Sequence, residues 1–373
     1  MTADLLSHLT FFLPSLRGGG AEKIILSIAK EAALHLDRVD LVLVKHEGVY
    51  AQEDPGAVNI IDLNKSRSLA SVPALCRYLR REKPQAMISA TPHANIAAIL
   101  AANLSRSSTR IIISEHSMMS RHQNPELKIA MLLRTMRILY RRADRAIATT
   151  DHVRTAVIQG TGFSPTRAHV VHNFVDLGRI CSLRGQSPTH PWLSNKTSPV
   201  IVTAGRLVDE KDQRTLILAL AAMSNTQARL IIFGDGPLRE RLVKLRDELH
   251  LRHRVDLPGF VTNPYAEFAA ADVFALPSKS EGFANVVIEA LASNTPVVAM
   301  RATGGIADSL EDGRAVRLVD IGDDKAMAAE IDNCLTDPPT AAAMQTIAEC
   351  FSLEQGWEGY RNVVLNCLRE MDG

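Results

Sequence analysis

Cysteine is scarce in this chain, and the spacing of the cysteines argues against metal binding and disulfide formation. Among 373 residues there are five cysteines, widely separated and without a Cys-x-x-Cys pair. An odd number at such spacing argues against a disulfide framework and a zinc site. It favours reduced thiols in a cytosolic compartment.

Long hydrophobic runs are also missing. The longest, residues 96–104, is too short to cross a bilayer and favours a buried helix. Near the N-terminus no basic leader precedes the apolar residues, which are interrupted by Ser7, His8 and Pro14. A secretory signal is therefore not expected, and the predicted location is cytoplasmic.

Aromatic residues make up only 5% of the chain, and no stacking platform or nucleic-acid motif stands out. Nucleic acid is therefore not an expected partner. A net charge of +1 conceals an asymmetry. Residues 1–185 hold 24 Lys and Arg against 15 Asp and Glu, whereas residues 186–373 hold 18 against 26. Either the first half faces an anionic partner, or solvated charges happen to cluster there.

What the chain does contain is an alternation of short apolar runs and helical stretches, which predicts an α/β fold with parallel sheets covered on both faces. The predicted strands are 9–13, 39–44, 58–63, 86–89, 110–114, 146–149, 169–172, 200–204, 229–233, 254–257, 273–276, 296–299 and 315–318. The length predicts two domains, and the proline-rich, polar residues 185–198 predict the linker between them.

The most informative segment begins at Glu281 and ends at Glu289. A turn with Gly282 and Asn285 leads into an apolar helical run, so both carboxylates can face one ligand across the helix start. Unpaired amides and the helix dipole form an anion site there. Carboxylates beside an anion site suit a ligand that is both phosphorylated and hydroxylated, such as a nucleotide sugar.

Three other motifs accompany this segment. The run Gly18-Gly-Gly-Ala-Glu22 follows a predicted strand and opens a helix, where glycines allow close approach to a phosphate or simply form a flexible turn. Arg206 and Lys211 follow another strand and suit a diphosphate. Gly234-Asp-Gly-Pro237 is a further turn between a strand and a helix.

Together these motifs resemble the retaining glycosyltransferases of family 4 (glycosyl transferases group 1), the bacterial surface-polysaccharide and lipid-linked glycan type. The resemblance extends from about Leu9 to Tyr360. It implies a GT-B fold, in which two Rossmann-like domains face each other across a cleft. Residues 1–184 would bind the acceptor, residues 199–352 would bind the nucleotide sugar, and residues 353–373 would form a helix crossing back to the first domain.

The resemblance also implies roles for individual residues. Arg206 and Lys211 would bind the donor diphosphate and stabilise the leaving group, so that no metal or other cofactor is expected. Glu281 would face the donor sugar, and Glu289 would bind the ribose. Amides of Phe283, Ala284, Asn285 and Val286 would approach the sugar and diphosphate.

Further predicted binding residues are Gly19 and Gly20 in the first domain, and Gly234 and Phe260 around the nucleobase. His116, at the end of a first-domain strand, would contribute to sugar binding rather than act as a base. Its neighbour Glu115 is the alternative.

Residues 124–145 predict one long helix with a basic stripe and an apolar face. The stripe consists of Arg134, Arg137, Arg141 and Arg145. A helix of this kind can rest on anionic lipid at the inner face of the plasma membrane, or its stripe can be merely solvated. The sequence favours neither.

The prediction is therefore a metal-independent retaining glycosyltransferase that takes a nucleotide sugar, most simply a UDP-sugar. The acceptor would be a hydroxyl of a growing glycan carried on a polyprenyl diphosphate. Two alternatives stay open, a nucleotide-sugar epimerase of similar fold and a non-catalytic subunit that binds nucleotide.

Overall fold

A computed structural model describes residues 6–116, 127–301, 310 and 315–370. The chain divides into two compact units. The first extends to Phe174 and also includes the chain from Leu353 onward, while the second comprises Val175–Ser352. Each unit contains a sheet in which every observed pairing is parallel.

The first unit is built on a doubly wound sheet of order β3-β2-β1-β4-β5-β6-β7. Its strands are β1 (His8–Leu13), β2 (Arg38–Leu43), β3 (Asn59–Asp62), β4 (Ala86–Ala90), β5 (Arg110–Glu115), β6 (Arg145–Ala148) and β7 (Ala168–Val170). Its helices before the second unit are α1 (Gly20–Ala32), α2 (Val72–Glu82), α3 (Pro92–Ser105), α4 (Leu127–Leu139) and α5 (Asp151–Thr161).

Both faces of this sheet are buried over its central strands, which explains why these strands are mainly apolar. In β1, Leu9, Phe11 and Leu13 pack into one hydrophobic cluster, and Phe12 packs into another on the opposite face. Successive side chains of a strand point to opposite faces, so a strand covered on both sides is apolar at most positions.

The second unit repeats the plan with the order β10-β9-β8-β11-β12-β13. Its strands are β8 (Val200–Ala204), β9 (Arg229–Phe233), β10 (Val255–Gly259), β11 (Val273–Leu276), β12 (Val297–Met300) and β13 (Val316–Val319). Its helices are α6 (Leu177–Arg184), α7 (Pro191–Ser194), α8 (Gln213–Ala222), α9 (Arg239–Glu248), α10 (Pro264–Ala270), α11 (Asn285–Ala292), α12 (Asp324–Thr336) and α13 (Ala341–Glu349).

The last helix, α14 (Leu353–Arg369), belongs to the first unit although it follows the second in sequence. Trp357, Tyr360 and Val364 are buried in the same hydrophobic cluster as β1 and α1. Gly356 lies so close to the Phe174 ring that an added Cβ would come within 2.2 Å of it. The helix therefore completes the first core.

Two details differ from the sequence predictions. The units divide at 174/175 rather than at 184/185, and residues 185–198 pack within the second unit as the region around α7. The predicted helix 124–145 ends earlier, because α4 stops at Leu139, a 3-10 turn follows, and Arg145 begins β6. The predicted start at Asn124 lies outside the described residues.

Candidate functional site

The order of the second sheet reverses between β8 and β11, which are neighbours in the sheet but not in sequence. In doubly wound folds, ligands bind at the carboxyl ends of the strands beside such a reversal. Arg206 and Lys211 lie in the loop after β8, and Glu281 lies in the loop after β11. The fold therefore brings these predicted site residues to the same edge of the sheet.

The loop after β8 carries two cations in different states. Arg206 is exposed and makes no side-chain hydrogen bond or ion pair with the residues that the structure describes. Lys211 ends a 3-10 turn, and its Nζ lies 2.5 Å from Oε1 of Glu281. The aliphatic part of Lys211 passes the Cα of Gly205, where an added Cβ would meet it at 3.8 Å.

Glu281 is held from two sides. Its Oε1 accepts a hydrogen bond from the Lys211 ammonium and another from the hydroxyl of Ser278 at 2.7 Å. Ser278 is fully buried. This serine was not predicted, although its position three residues before Glu281 in the same loop was a usable signal.

The segment after Glu281 offers backbone groups rather than side chains. The side chains of Phe283 and Ala284 are buried in the second core, and α11 begins at Asn285. The amide of Asn285, one of four predicted for the ligand, donates instead to the Phe283 carbonyl at 2.9 Å. Val286 follows in the first turn of the helix.

Glu289 lies in the second turn of α11 and is half-buried. Its Oε1 accepts the hydroxyl of Tyr265, on α10, at 3.3 Å. A carboxylate fixed in this way keeps acceptor capacity for a ligand hydroxyl. Tyr265 was not predicted, because nothing in the local sequence connects it with a residue 24 positions away.

The two turns predicted around a nucleobase lie after β9 and β10. Gly234 has φ +121°, and an added Cβ would lie 2.0 Å from the Gly205 carbonyl oxygen, so this turn requires glycine. β10 ends at Gly259, and Phe260 therefore follows the strand rather than ending it. The Phe260 side chain is 86% exposed, which leaves its ring available to a ligand.

In the first unit, the glycine run forms the start of α1. Glu22 accepts hydrogen bonds from the amides of Gly18 and Gly19 at 2.8 and 2.9 Å, which satisfies two free amides before the helix. The Gly19 amide predicted for a phosphate is thus already bonded. An added Cβ on Gly20 would meet nothing within 4 Å, so this glycine faces open space.

His116 follows β5 and is connected to the last helix. Its Nε2 lies 3.0 Å from the Ser114 hydroxyl, which in turn lies 3.2 Å from the hydroxyl of Tyr360. Burial lowers the pKa of His116 to about 4, with an opposing contribution from Asn173. The imidazole is therefore neutral at physiological pH, in keeping with a hydrogen-bonding role.

The adjacent Glu115 is buried in a polar cluster of its own. Its Oε1 accepts the hydroxyl of Tyr140 and, at 2.8 Å, the amide of Asn95. The Oδ1 atom of Asn95 in turn accepts a hydrogen bond from the hydroxyl of Ser89 at 2.7 Å. Burial raises the pKa of Glu115 to about 7, although both hydrogen bonds favour its ionised form.

Only three of the four arginines of the predicted basic stripe lie on the surface. Arg145 is buried at the start of β6 and forms an ion pair with Glu370. Arg137 and Arg141 are exposed but donate to the carbonyls of Gly160 and Thr161. Arg134 is also exposed. Two apolar residues of α4 are exposed as well, Met131 at 63% and Ile138 at 60%.

Neither a candidate metal cluster nor a helix able to span a membrane occurs in the described parts of the chain. Within residues 6–116, 127–301, 310 and 315–370, no group of three or more His, Cys, Asp and Glu is arranged to hold a metal ion. Over the same ranges, no helix combines the length and the apolar composition needed to span a membrane.

Comparisons with known proteins agree with this architecture. The chain is 27% identical over 359 residues to N-acetylgalactosamine-N,N'-diacetylbacillosaminyl-diphospho-undecaprenol 4-alpha-N-acetylgalactosaminyltransferase of Campylobacter jejuni, covering 92% of this chain and 94% of that protein. It is 37% identical over 158 residues to the lipopolysaccharide core biosynthesis glycosyltransferase LpsD of Rhizobium meliloti, covering 41% and 45% respectively. Among solved structures, Anabaena Alr3699/HepE in complex with UDP has a TM-score of 0.79 at 24% identity, covering 96% of this chain and all of that one.

The two sheets and the loops at their carboxyl ends define a GT-B fold of two Rossmann-like domains. Residues 18–179 match the model of Glycosyltransferase Family 4, and residues 189–349 match that of Glycosyl transferases group 1. The chain therefore belongs to the family 4 (group 1) glycosyltransferases.

Proposed function

We propose that this protein is a retaining, metal-independent glycosyltransferase that moves a sugar from a UDP-sugar to a hydroxyl of a growing lipid-linked glycan in surface polysaccharide synthesis. The observation that carries the proposal is the convergence of Arg206, Lys211 and Glu281 beside the reversal of the second sheet. Glu289, in the helix that begins just after this edge, completes the set.

The chemistry of these side chains suits a nucleotide sugar. Arg206 and Lys211 supply positive charge for the diphosphate as the bond between sugar and phosphate breaks. Glu289 offers acceptor oxygens for the ribose hydroxyls, and Phe260 offers an exposed ring beside the turns expected to hold the base. The first unit would bind the acceptor near Gly20 and His116.

Retention follows from attack on the same face of the sugar that the diphosphate leaves. The acceptor oxygen forms the new bond to the anomeric carbon, the bond from that carbon to the phosphate oxygen breaks, and the acceptor proton passes to the departing phosphate. No protein nucleophile is needed in this scheme. Arg206 and Lys211 then act by stabilising the charge that develops on the leaving group.

The kind of donor and acceptor is supported by similar proteins. The Anabaena structure contains UDP, and the Campylobacter relative is named for action on a diphospho-undecaprenol substrate. The basic first half of the chain and the exposed face of α4 around Arg134 suit anionic lipid bearing such an acceptor. Flotation with neutral and anionic liposomes tests this part, and equal recovery with both would refute it.

The donor site is tested by calorimetry with UDP, GDP, ADP and their sugar conjugates in the presence of EDTA. We expect saturable binding of UDP and a UDP-sugar. Binding should weaken roughly 30-fold in Lys211→Ala, because a charge-assisted hydrogen bond contributes about 2 kcal/mol. Glu289→Ala should weaken it as well.

Lys244→Ala is the matched control, since that side chain is 79% exposed on α9 and should leave binding unchanged. No binding of any nucleotide would refute the donor site. Product analysis without acceptor separates the alternatives, because an epimerase would convert the sugar of the donor. A subunit that only binds nucleotide would show no turnover with any lipid-linked acceptor.

A further inference from the structure

The ion pair between Lys211 and Glu281 connects the two loops that flank the reversal of the second sheet. Lys211 follows β8 and Glu281 follows β11, and the distance between Nζ and Oε1 is 2.5 Å. The Lys211 side chain is 27% exposed and that of Glu281 is 10% exposed. The pair is thus accessible from solvent on the lysine side, with its carboxylate nearly buried.

The two loops also have contacts that do not involve this pair. The amide of Lys279 donates to the Glu210 carbonyl at 2.8 Å, and its ammonium lies 3.2 Å from Asp212. Separation of Lys211 from Glu281 therefore does not require the loops to separate.

Opening the pair has an electrostatic cost. If a diphosphate binds the Lys211 ammonium, Glu281 loses the cation that neutralises it. Of the described partners of its Oε1, only the Ser278 hydroxyl then remains. A nearly buried carboxylate with an anion nearby is destabilised unless new donors reach it. Sugar hydroxyls are such donors, and a free nucleoside diphosphate brings none to this position.

We propose that Glu281 is an exchangeable counterion of Lys211 through which the site favours the nucleotide sugar over the free nucleoside diphosphate. The inference rests on the proposed function, because it assumes that the diphosphate binds at Lys211. The donor diphosphate replaces Glu281 on Lys211, and Glu281 turns to the sugar hydroxyls. After transfer the sugar is gone, so Glu281 competes for Lys211 again and favours release of the diphosphate.

The test compares the Kd of UDP with that of the best-binding UDP-sugar among UDP-glucose, UDP-galactose and their N-acetylated counterparts. In Glu281→Gln, UDP should bind roughly tenfold more tightly than in the wild type, because Lys211 is no longer neutralised. The UDP-sugar should gain less or bind more weakly, since glutamine replaces a charged acceptor for the sugar hydroxyls.

Ser278→Ala should have the opposite effect on UDP. It leaves the charge of Glu281 in place but removes the hydroxyl that would stabilise the carboxylate once Lys211 has left. UDP should therefore bind more weakly than in the wild type, and the affinity for the UDP-sugar should fall by a smaller factor. A merely structural role for either side chain would weaken both ligands by the same factor, and circular dichroism checks that each variant is folded.

Glu289→Gln is the matched control, because it should weaken both ligands and leave the ratio of their Kd values unchanged. Unchanged or weaker binding of UDP by folded Glu281→Gln, with normal binding by the wild type, would overturn the counterion exchange alone. Absence of UDP binding by the wild type would overturn the proposed donor site and this inference together.

Discussion

Glu115 is an ionisable side chain placed where its charged form is costly. The carboxyl is buried beside Asn95 and Tyr140 at the end of β5, next to His116. Burial raises its pKa from the usual 4.5 to about 7, so near neutral pH the folded protein retains a proton that the unfolded chain releases. The stabilisation from this proton is complete below about pH 4.5 and is lost as the pH rises through about 7.

This linkage predicts the behaviour of Glu115→Gln, in which the amide mimics the protonated carboxyl. The free energy of unfolding of the wild type, minus that of the variant, should fall by about 3 kcal/mol as the pH is raised from 4 to 8. Urea unfolding of both proteins at several pH values measures this difference. A difference independent of pH would contradict the raised pKa.

The difference between the two proteins is needed because His116 contributes a slope of opposite sign. Burial lowers its pKa from 6.5 to about 4, so its contribution to stability is lost as the pH falls from about 6.5 towards 4. A plot of the unfolding free energy of either protein against pH therefore contains the His116 contribution, and only the difference between the two proteins isolates that of Glu115.

Single residues also show how far the sequence could predict the candidate site. The place of Arg206, Lys211 and Glu281 at one edge of the sheet was predictable, because each follows an apolar strand and the carboxyl ends of parallel strands meet at one edge. Their roles in binding stay predictions. Tyr265 pairs with Glu289 across 24 positions, a geometry that no spacing in the sequence reveals. Gly19 was predicted to bind a ligand, although Glu22, three residues later, already suited an acceptor for its amide.

At the scale of secondary structure, the turn after β9 determines the shape of the neighbouring loop. Gly234 has a positive φ, and its amide donates to the Gly259 carbonyl at 2.7 Å. The Gly205 amide, directly before Arg206, donates to the Phe233 carbonyl at 3.0 Å. The turns after β8, β9 and β10 are thus connected through their backbones.

We expect Gly234→Ala to reduce the free energy of unfolding by about 3 kcal/mol or more, since the added Cβ would overlap the Gly205 carbonyl oxygen in a backbone conformation that disfavours side chains. UDP affinity should fall as well, because Arg206 would be displaced. Gly185→Ala is the control: Gly185 has φ −78° and open space around it, so its unfolding midpoint should hardly change. Equal midpoints for the two variants would refute the argument.

The strands were predictable because burial on both sheet faces makes them continuously apolar, as in β8 and β11, whose predicted and observed bounds coincide. The end of α4 was not. Four arginines at helical spacing predicted one continuous helix, yet Arg145 entered a strand. The Asp144 carboxylate, which binds the Ile111 amide and the Arg110 side chain, fixes the chain beside β5 at that point.

At the scale of the whole molecule, the two units differ in how they are encoded. The second is one continuous segment, Val175–Ser352, whereas the first needs two segments separated by the entire second unit. Each of Trp357, Tyr360 and Val364 contributes about 2 kcal/mol of burial to the first core. Their sum is comparable to the total stability of a typical domain.

A fragment of residues 175–352 should therefore fold alone and bind UDP, with Lys211→Ala in the same fragment as the control for specific binding. Residues 1–174 should lack a cooperative unfolding transition and regain one when a peptide of residues 353–373 is added. Circular dichroism melts of the fragments measure both outcomes. A cooperative transition of residues 1–174 alone would show that the C-terminal helix is dispensable for the first core.

The interrupted first unit also fixes an order of events on the ribosome. Residues 1–174 leave the exit tunnel first, but the helix that seals their core is made only after the second unit. At ordinary elongation rates the delay is roughly 10 to 40 seconds. During that interval the apolar surface of α1, β5 and β6 that packs against the C-terminal helix is left uncovered. Nascent chains of this protein should consequently depend on chaperones at their N-terminal half. The second unit, although it is synthesised later, has all of its residues before the first unit does.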